Sequence, residues 1–376
     1  MDLINVRKQK NTETRRGDEG MHIRRVVLTG AWVGGIVGIV MMGSIGLGHE
    51  SDHGTSTNMI TVDGQMVPDI GPLPTAIPQP ATNLNYAAKV SLGTQLYFDG
   101  RLSKNNAISC AFCHNPVAGF ADPNQTSVGV IGKRGGRQSP TVYNTAFNRF
   151  QFWDGRAGSL EEQAIGPIHN PIEMAETHEN VVPKIAKIKG YKEQFLKVFG
   201  TGVSLQGIAE AIAAYERTII STNSPFDKFV LGDDKAMDDS TQRGMAIFKG
   251  KGRCIACHNG ANFTDNKFHN LGVPQVGPLQ EDLGRYEVTR QEHDKGAFKT
   301  PTLRSIIETA PYMHDGVFKT LEEVVEFFDK GGNANPQLSP LMKPLGLAPQ
   351  EKTDLIAFLK ALTGEPIPFE FPTLPE

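Results

Sequence analysis

Cys110-Ala-Phe-Cys113-His114 and Cys254-Ile-Ala-Cys257-His258 are the stretches on which the fold turns. Each is a C-x-x-C-H. At this spacing two thiols bond covalently to the vinyl groups of a porphyrin, and the adjacent imidazole reaches its iron. All four cysteines of the chain lie in these two motifs. A zinc ribbon made from both pairs would need them closer together in sequence. A thioredoxin-like dithiol has no need of a histidine after its second cysteine, still less twice. The reading is two haem c groups, bonded through Cys110, Cys113, Cys254 and Cys257, with His114 and His258 as axial ligands. That confines the chain to redox chemistry: electron transfer, oxygen or peroxide chemistry, or both.

Outward from the motifs the chain repeats itself. Leu92-Gly93-Thr-Gln-Leu96-Tyr97-Phe98 precedes the first, and Arg243-Gly244-Met-Ala-Ile247-Phe248 precedes the second. Both read as the end of a helix that sets an aromatic near a haem edge. Other helix signals are plain. Ser159-Leu-Glu-Glu162 and Thr320-Leu-Glu-Glu323 are capping-box patterns. Ser204 opens a run with Ile208, Ile212, Tyr215 and Ile219 on one face, and Pro349 opens the last helix. Alternating strand patterns are few. The expected fold is all-α, with two cytochrome-c-like domains at residues 84–225 and 226–376.

The N-terminus reads as a targeting segment. Residues 1–25 are polar and end in Arg24-Arg25; residues 26–48 are apolar and Gly-rich; residues 49–83 form a Pro/Gly-rich linker. Met21 is an alternative start. The apolar run suits a signal peptide or an uncleaved membrane anchor. Either places the remainder outside the cytoplasm, in the periplasm of a bacterium, where haem c is attached. A net charge of −3 over 376 residues gives no sign of nucleic-acid binding.

Several further motifs occur in order: Ser139-Pro-Thr-Val-Tyr-Asn144, Gln151-Phe-Trp-Asp-Gly-Arg156, Pro171-Ile-Glu-Met174, Thr300-Pro-Thr-Leu-Arg304 and Ala310-Pro-Tyr-Met-His-Asp-Gly316. With the haem motifs they make residues 84–365 resemble the bacterial di-haem cytochrome c peroxidase and MauG superfamily. The resemblance implies a peroxidatic N-terminal haem with Glu173 as distal acid/base, and Gln163 and Pro167 shaping its pocket. It implies that Trp153 relays electrons between the haems. It also implies one calcium ion held by Gln138, Thr309 and Pro311, where Gln138 replaces the usual asparagine. Many relatives block the first haem with a histidine from the loop before the Ser-Pro-Thr segment. Here that loop, residues 121–138, holds neither His nor Met, so the first haem is expected to be open and to need no reductive activation. The position of the second haem's sixth ligand, Met or Tyr in the family, falls on Phe328, which cannot bind iron. Met313, His314 and Met342 are the substitutes on offer, and an empty sixth position is another.

Three functions follow from these readings. One is a peroxidase that reduces hydrogen peroxide with electrons from a small cytochrome c or cupredoxin entering at the second haem. Another is a MauG-like enzyme that oxidises Trp or Tyr side chains of a partner protein. The third is a non-enzymatic di-haem electron carrier, to which a base-flanked open iron is of no use. The resemblance leaves open a homodimer.

Overall fold

The computed structural model describes residues 58–376. The expected anchor or signal and the polar segment before it lie outside these residues. Among the described residues no helix is long and apolar enough to cross a membrane.

The fold is mostly helical. Its first half carries α1 (Ala87–Phe98), α2 (Cys110–Cys113), α3 (Leu160–His169), α4 (His178–Ala186), α5 (Lys189–Phe199) and α6 (Leu205–Glu216). Its second half carries α7 (Pro225–Val230), α8 (Asp239–Lys249), α9 (Tyr286–Thr289), α10 (Leu321–Lys330) and α11 (Pro349–Lys360). The predicted caps are in place. Ser159 and Ser204 accept from the backbone N–H groups of Glu162 and Gly207, and Thr320 with Glu323 closes a full capping box. Each cap satisfies donors that a helix start otherwise leaves open.

Buried apolar residues form two clusters. One gathers Leu92, Leu96, Tyr97, Ile208, Ile212 and Ile219 with their neighbours. The other gathers Phe226, Phe248, Phe263, Leu355 and Phe358 with theirs. In each, the helix before a C-x-x-C-H motif crosses the last helix of its half: α1 lies on α6, and α8 on α11. The repeated glycine marks both crossings. A Cβ on Gly93 would stand 1.8 Å from the Ala211 carbonyl oxygen, and one on Gly244 would stand 1.9 Å from that of Asp354. Backbones approach this closely only where there is no side chain.

The structure departs from an all-α reading in two places. Strands β1 (Met59–Val62) and β2 (Gln65–Pro68) form an antiparallel hairpin within the stretch expected to be linker. Val62 and Ile70 enter the second core. Asp69 pairs with Lys249 at 2.7 Å, Asp63 pairs with Arg253, and the Gly71 carbonyl accepts from the buried Arg304 guanidinium at 2.9 Å. Residues 58–71 of that stretch are therefore packed structure, held by apolar burial and ion pairs, while residues 72–82 are mostly exposed and irregular. Strands β3 (Phe268–His269) and β4 (Phe298–Lys299) pair at two residues each. Both line the site described next.

Candidate functional site

The four cysteines are unpaired thiols. Each motif ends in a histidine whose ring is held by a backbone carbonyl. His114 Nδ1 lies 2.9 Å from the Pro140 oxygen, and His258 Nδ1 lies 2.9 Å from that of Phe263. A carbonyl only accepts, so Nδ1 carries the proton and Nε2 keeps its lone pair for a metal. Burial pushes both imidazoles below their ordinary pKa, which keeps them neutral. Tyr97, on the helix before the first motif, donates its hydroxyl to the His114 carbonyl at 3.1 Å. These donor sets fit a covalent haem at each motif.

The second motif opens on a cavity of about 340 Å³ lined by Cys254, Cys257, His258, Phe248, Leu303 and Leu359, among others. All four residues in question for the second haem, Met313, His314, Phe328 and Met342, line it. Phe328 thus stands in the cavity where a ligand was expected and offers only a ring. His314 is 4% exposed and its Nε2 has no hydrogen-bond partner. It stacks on Phe298 with centroids 3.6 Å apart, and burial lowers its pKa to about 4.

Glu173 sits in the turn between α3 and α4. Burial raises its pKa, while Arg156 and the Asn170 side chain oppose the shift. Asn170 Nδ2 donates to Glu173 Oε1 at 2.7 Å. The backbone around it is clamped from two sides. Glu173 N donates to the Asn170 oxygen at 3.1 Å, and its own oxygen accepts from Val130 N, in the 121–138 loop, at 2.9 Å. Burial lifts the Cys113 thiol to about 11, against a hydrogen bond from Ser127, with the charges of Asp122 and Glu173 adding to the rise. Gln163 and Pro167 are one turn apart on α3, and Met174 N donates to the Pro167 oxygen at 3.2 Å. Proline lacks the N–H that would have bonded the Gln163 carbonyl. Phe152, at φ 65°, lies under the Arg156 guanidinium, 3.5 Å from its centroid.

Trp153 connects the two motifs. Its indole N–H donates to the Gln138 oxygen at 2.8 Å, two residues before the Pro140 carbonyl that holds His114. On its other side it lines the cavity of the second motif. Gln138, Thr309 and Pro311, the three expected calcium positions, are among the residues lining the same cavity. Gln138 N donates to the His314 oxygen at 2.8 Å, and its amide nitrogen donates to the Asp122 oxygen at 3.0 Å.

Asn170, Phe298 and Lys299 carry no reading in the sequence, and Arg156 enters there only as the end of its motif. Asn170 is three residues before Glu173, and Lys299 immediately precedes the Thr-Pro-Thr motif. That adjacency was the only signal available.

A mostly helical fold with two thiol pairs, each followed by an imidazole set to bind iron, defines a c-type cytochrome with two sites. The sequence model of the di-haem cytochrome c peroxidase family matches residues 87–235. The cytochrome-c peroxidase IdrP1 of Pseudomonas sp. (strain SCT) is 40% identical over 82% of this chain and 89% of its own. The methylamine utilization protein MauG of Methylorubrum extorquens is 40% identical over 80% and 86%. Among solved structures, a MauG-like protein associated with microbial copper homeostasis superposes with a TM-score of 0.72 at 30% identity, covering 78% of this chain and 95% of the other. The chain belongs to the di-haem cytochrome c peroxidase family, oxidoreductases that act on peroxide and carry haem c.

Proposed function

We propose that the chain is a peroxidase that reduces hydrogen peroxide to two waters, taking two electrons and two protons per turnover. The first haem, on Cys110, Cys113 and His114, is the reacting site. The second, on Cys254, Cys257 and His258, receives electrons. Each haem belongs to its own cytochrome-c-like domain, 84–225 and 226–376. Bound haem supplies the redox chemistry. The protein supplies the proton handling, and the observation that carries the reading is Glu173. It is a buried carboxyl with a raised pKa, beside the first motif and under a loop that offers no blocking ligand. It takes the first proton of the peroxide and returns it to the departing oxygen. Asn170 fixes its orientation. Gln163 and Pro167 form the wall beside it, and Trp153 relays electrons.

A small cytochrome c or cupredoxin of the periplasm is the proposed donor. The N-terminal apolar run delivers the chain there as a cleaved signal or an anchor. Calcium, held by oxygens of Gln138, Thr309 and Pro311, belongs to the same proposal, as does a homodimer. The MauG-like reading, oxidation of a partner protein, is favoured by one observation, the loop without His or Met.

Stopped-flow mixing of the oxidised holoprotein with peroxide tests the scheme. The haem absorption should change without prior reduction, and Glu173→Ala should slow that change by roughly 10²–10⁴-fold. An unchanged rate removes Glu173 from the mechanism. Rapid turnover with reduced cytochrome c supports the peroxidase. Slow turnover with a long-lived oxidised state supports the MauG-like enzyme.

A further inference from the structure

The second cavity holds a cation that the proposed scheme does not use. Lys299 is 7% exposed and lines the wall. Its Nζ donates to the Thr300 carbonyl at 3.1 Å, and among the described residues no carboxylate lies within ion-pair distance of it. The other basic groups of the wall are committed or exposed. Arg253 pairs with Asp63, His269 pairs with Asp265 at 2.9 Å, and Lys343 faces solvent. A buried ammonium without an anion is unfavourable. Here burial lowers the Lys299 pKa to about 8, against the pull of Asp265, whose carboxylate is taken by His269. A buried ammonium on the wall of this cavity, with no carboxylate at ion-pair distance among the described residues, points to an anion that belongs in it.

We propose that Lys299 binds a carboxylate of the second haem's propionate edge, and so fixes that edge beside Trp153. This rests on the assignment of haem to Cys254, Cys257 and His258. A porphyrin of the c type brings two carboxylates into a largely apolar cavity, and each needs a charge-assisted partner. Lys299 N also donates to the Trp153 oxygen at 2.7 Å. The residue that neutralises the haem's charged edge is therefore the one that positions the relay tryptophan. A cation at that edge favours the reduced haem, which raises its midpoint potential.

The test is spectroelectrochemical titration of the intact holoprotein, resolving the two haems. Lys299→Gln should shift the second haem's midpoint downward and leave the first unmoved. Lys299→Arg, which keeps the charge, should stay at the wild-type value. A Gln variant with an unmoved second midpoint overturns the proposal, and so does an Arg variant that shifts as far as Gln. If Lys299→Gln fails to take up the second haem by pyridine haemochrome assay, Lys299→Arg decides. Two haems at the wild-type potential uphold the role; one haem, or a shifted potential, overturns it. Wild-type protein with fewer than two haems per chain would sink the underlying assignment instead.

Discussion

Burial pushes the Glu173 carboxyl above its ordinary range, while Arg156 and the Asn170 amide pull the other way. A carboxyl acting as base works only when ionised, so peroxide reactivity should rise with pH through a limb above the usual carboxylate range. Asn170 stabilises the ionised form through its 2.7 Å hydrogen bond. Asn170→Ala removes that support, so the limb should move to higher pH in a pH–rate profile; a limb that stays put would separate Asn170 from Glu173. Glu216 offers a second residue-scale prediction. It is buried on α6, one Oε lacks a partner, and burial raises its pKa to about 8, against the pull of Arg217 and with a push from Glu161. Its charge also acts on Tyr97, Tyr215 and Cys110. The folded pKa is raised above the unfolded one, so the favourable neutral form is fully present below the ordinary carboxyl value of 4.5. That stability is lost as pH rises from there through about 8. Glu216→Gln should flatten the loss. In apparent Tm the variant should gain on the wild type as pH rises across this window, and a constant gap would refute the assignment.

Two helix crossings hold the two cores, and each depends on one glycine. The Cβ of Gly244→Ala would press on the Asp354 carbonyl, and that of Gly93→Ala on the Ala211 carbonyl. Backbone cannot swing aside as a side chain can, so the helices must part. Each variant should lose roughly 1–3 kcal/mol, measured as a fall in apparent Tm. Gly202→Ala, with nothing within 4 Å, should change little. These elements were legible in the sequence because their signals are local: a cap residue, a period of 3.6, a repeated Gly-x-x-x-aromatic before each haem motif. The elements that escaped have no such signal. Strands β3 and β4 are two residues long, too short to show alternation, and exist because they pair across a cavity wall. The β1–β2 hairpin was masked by the Pro/Gly-rich composition around it and is held by contacts distant in sequence, such as Gly71 with Arg304. At the site, Glu173 could be found through its motif. Lys299 could not, because its burial depends on the fold closing around it.

Across the molecule, residues of the first half reach the second through many hydrogen bonds, such as Tyr143 to Glu308, Ser221 to Ser305 and Arg285 to the Asp154 carbonyl. Arg137 bonds Asp154 at 2.6 Å and Asp282 through two hydrogen bonds of 2.6 and 2.7 Å, with its guanidinium over Phe298. Beside it, the Gln138–Pro140 stretch takes the Trp153 N–H at one end and holds His114 at the other. The Trp153 indole is thus fastened toward the first motif through one hydrogen bond, and its backbone to the second cavity's wall through the Lys299 N–H. A phenylalanine at this position would keep most of the packing and lose the N–H donor. If the indole carries electrons between the sites, Trp153→Phe should retain two haems per chain and a normal fast reaction with peroxide. Steady-state turnover with reduced cytochrome c should fall about tenfold or more, a barrier higher by roughly 1.4 kcal/mol. The two measurements read different things. A loss of the fast reaction as well would show that the tryptophan supports the first site's geometry. An unchanged turnover would mean that electrons cross by another route, and the side chain would then be a packing element between the two halves.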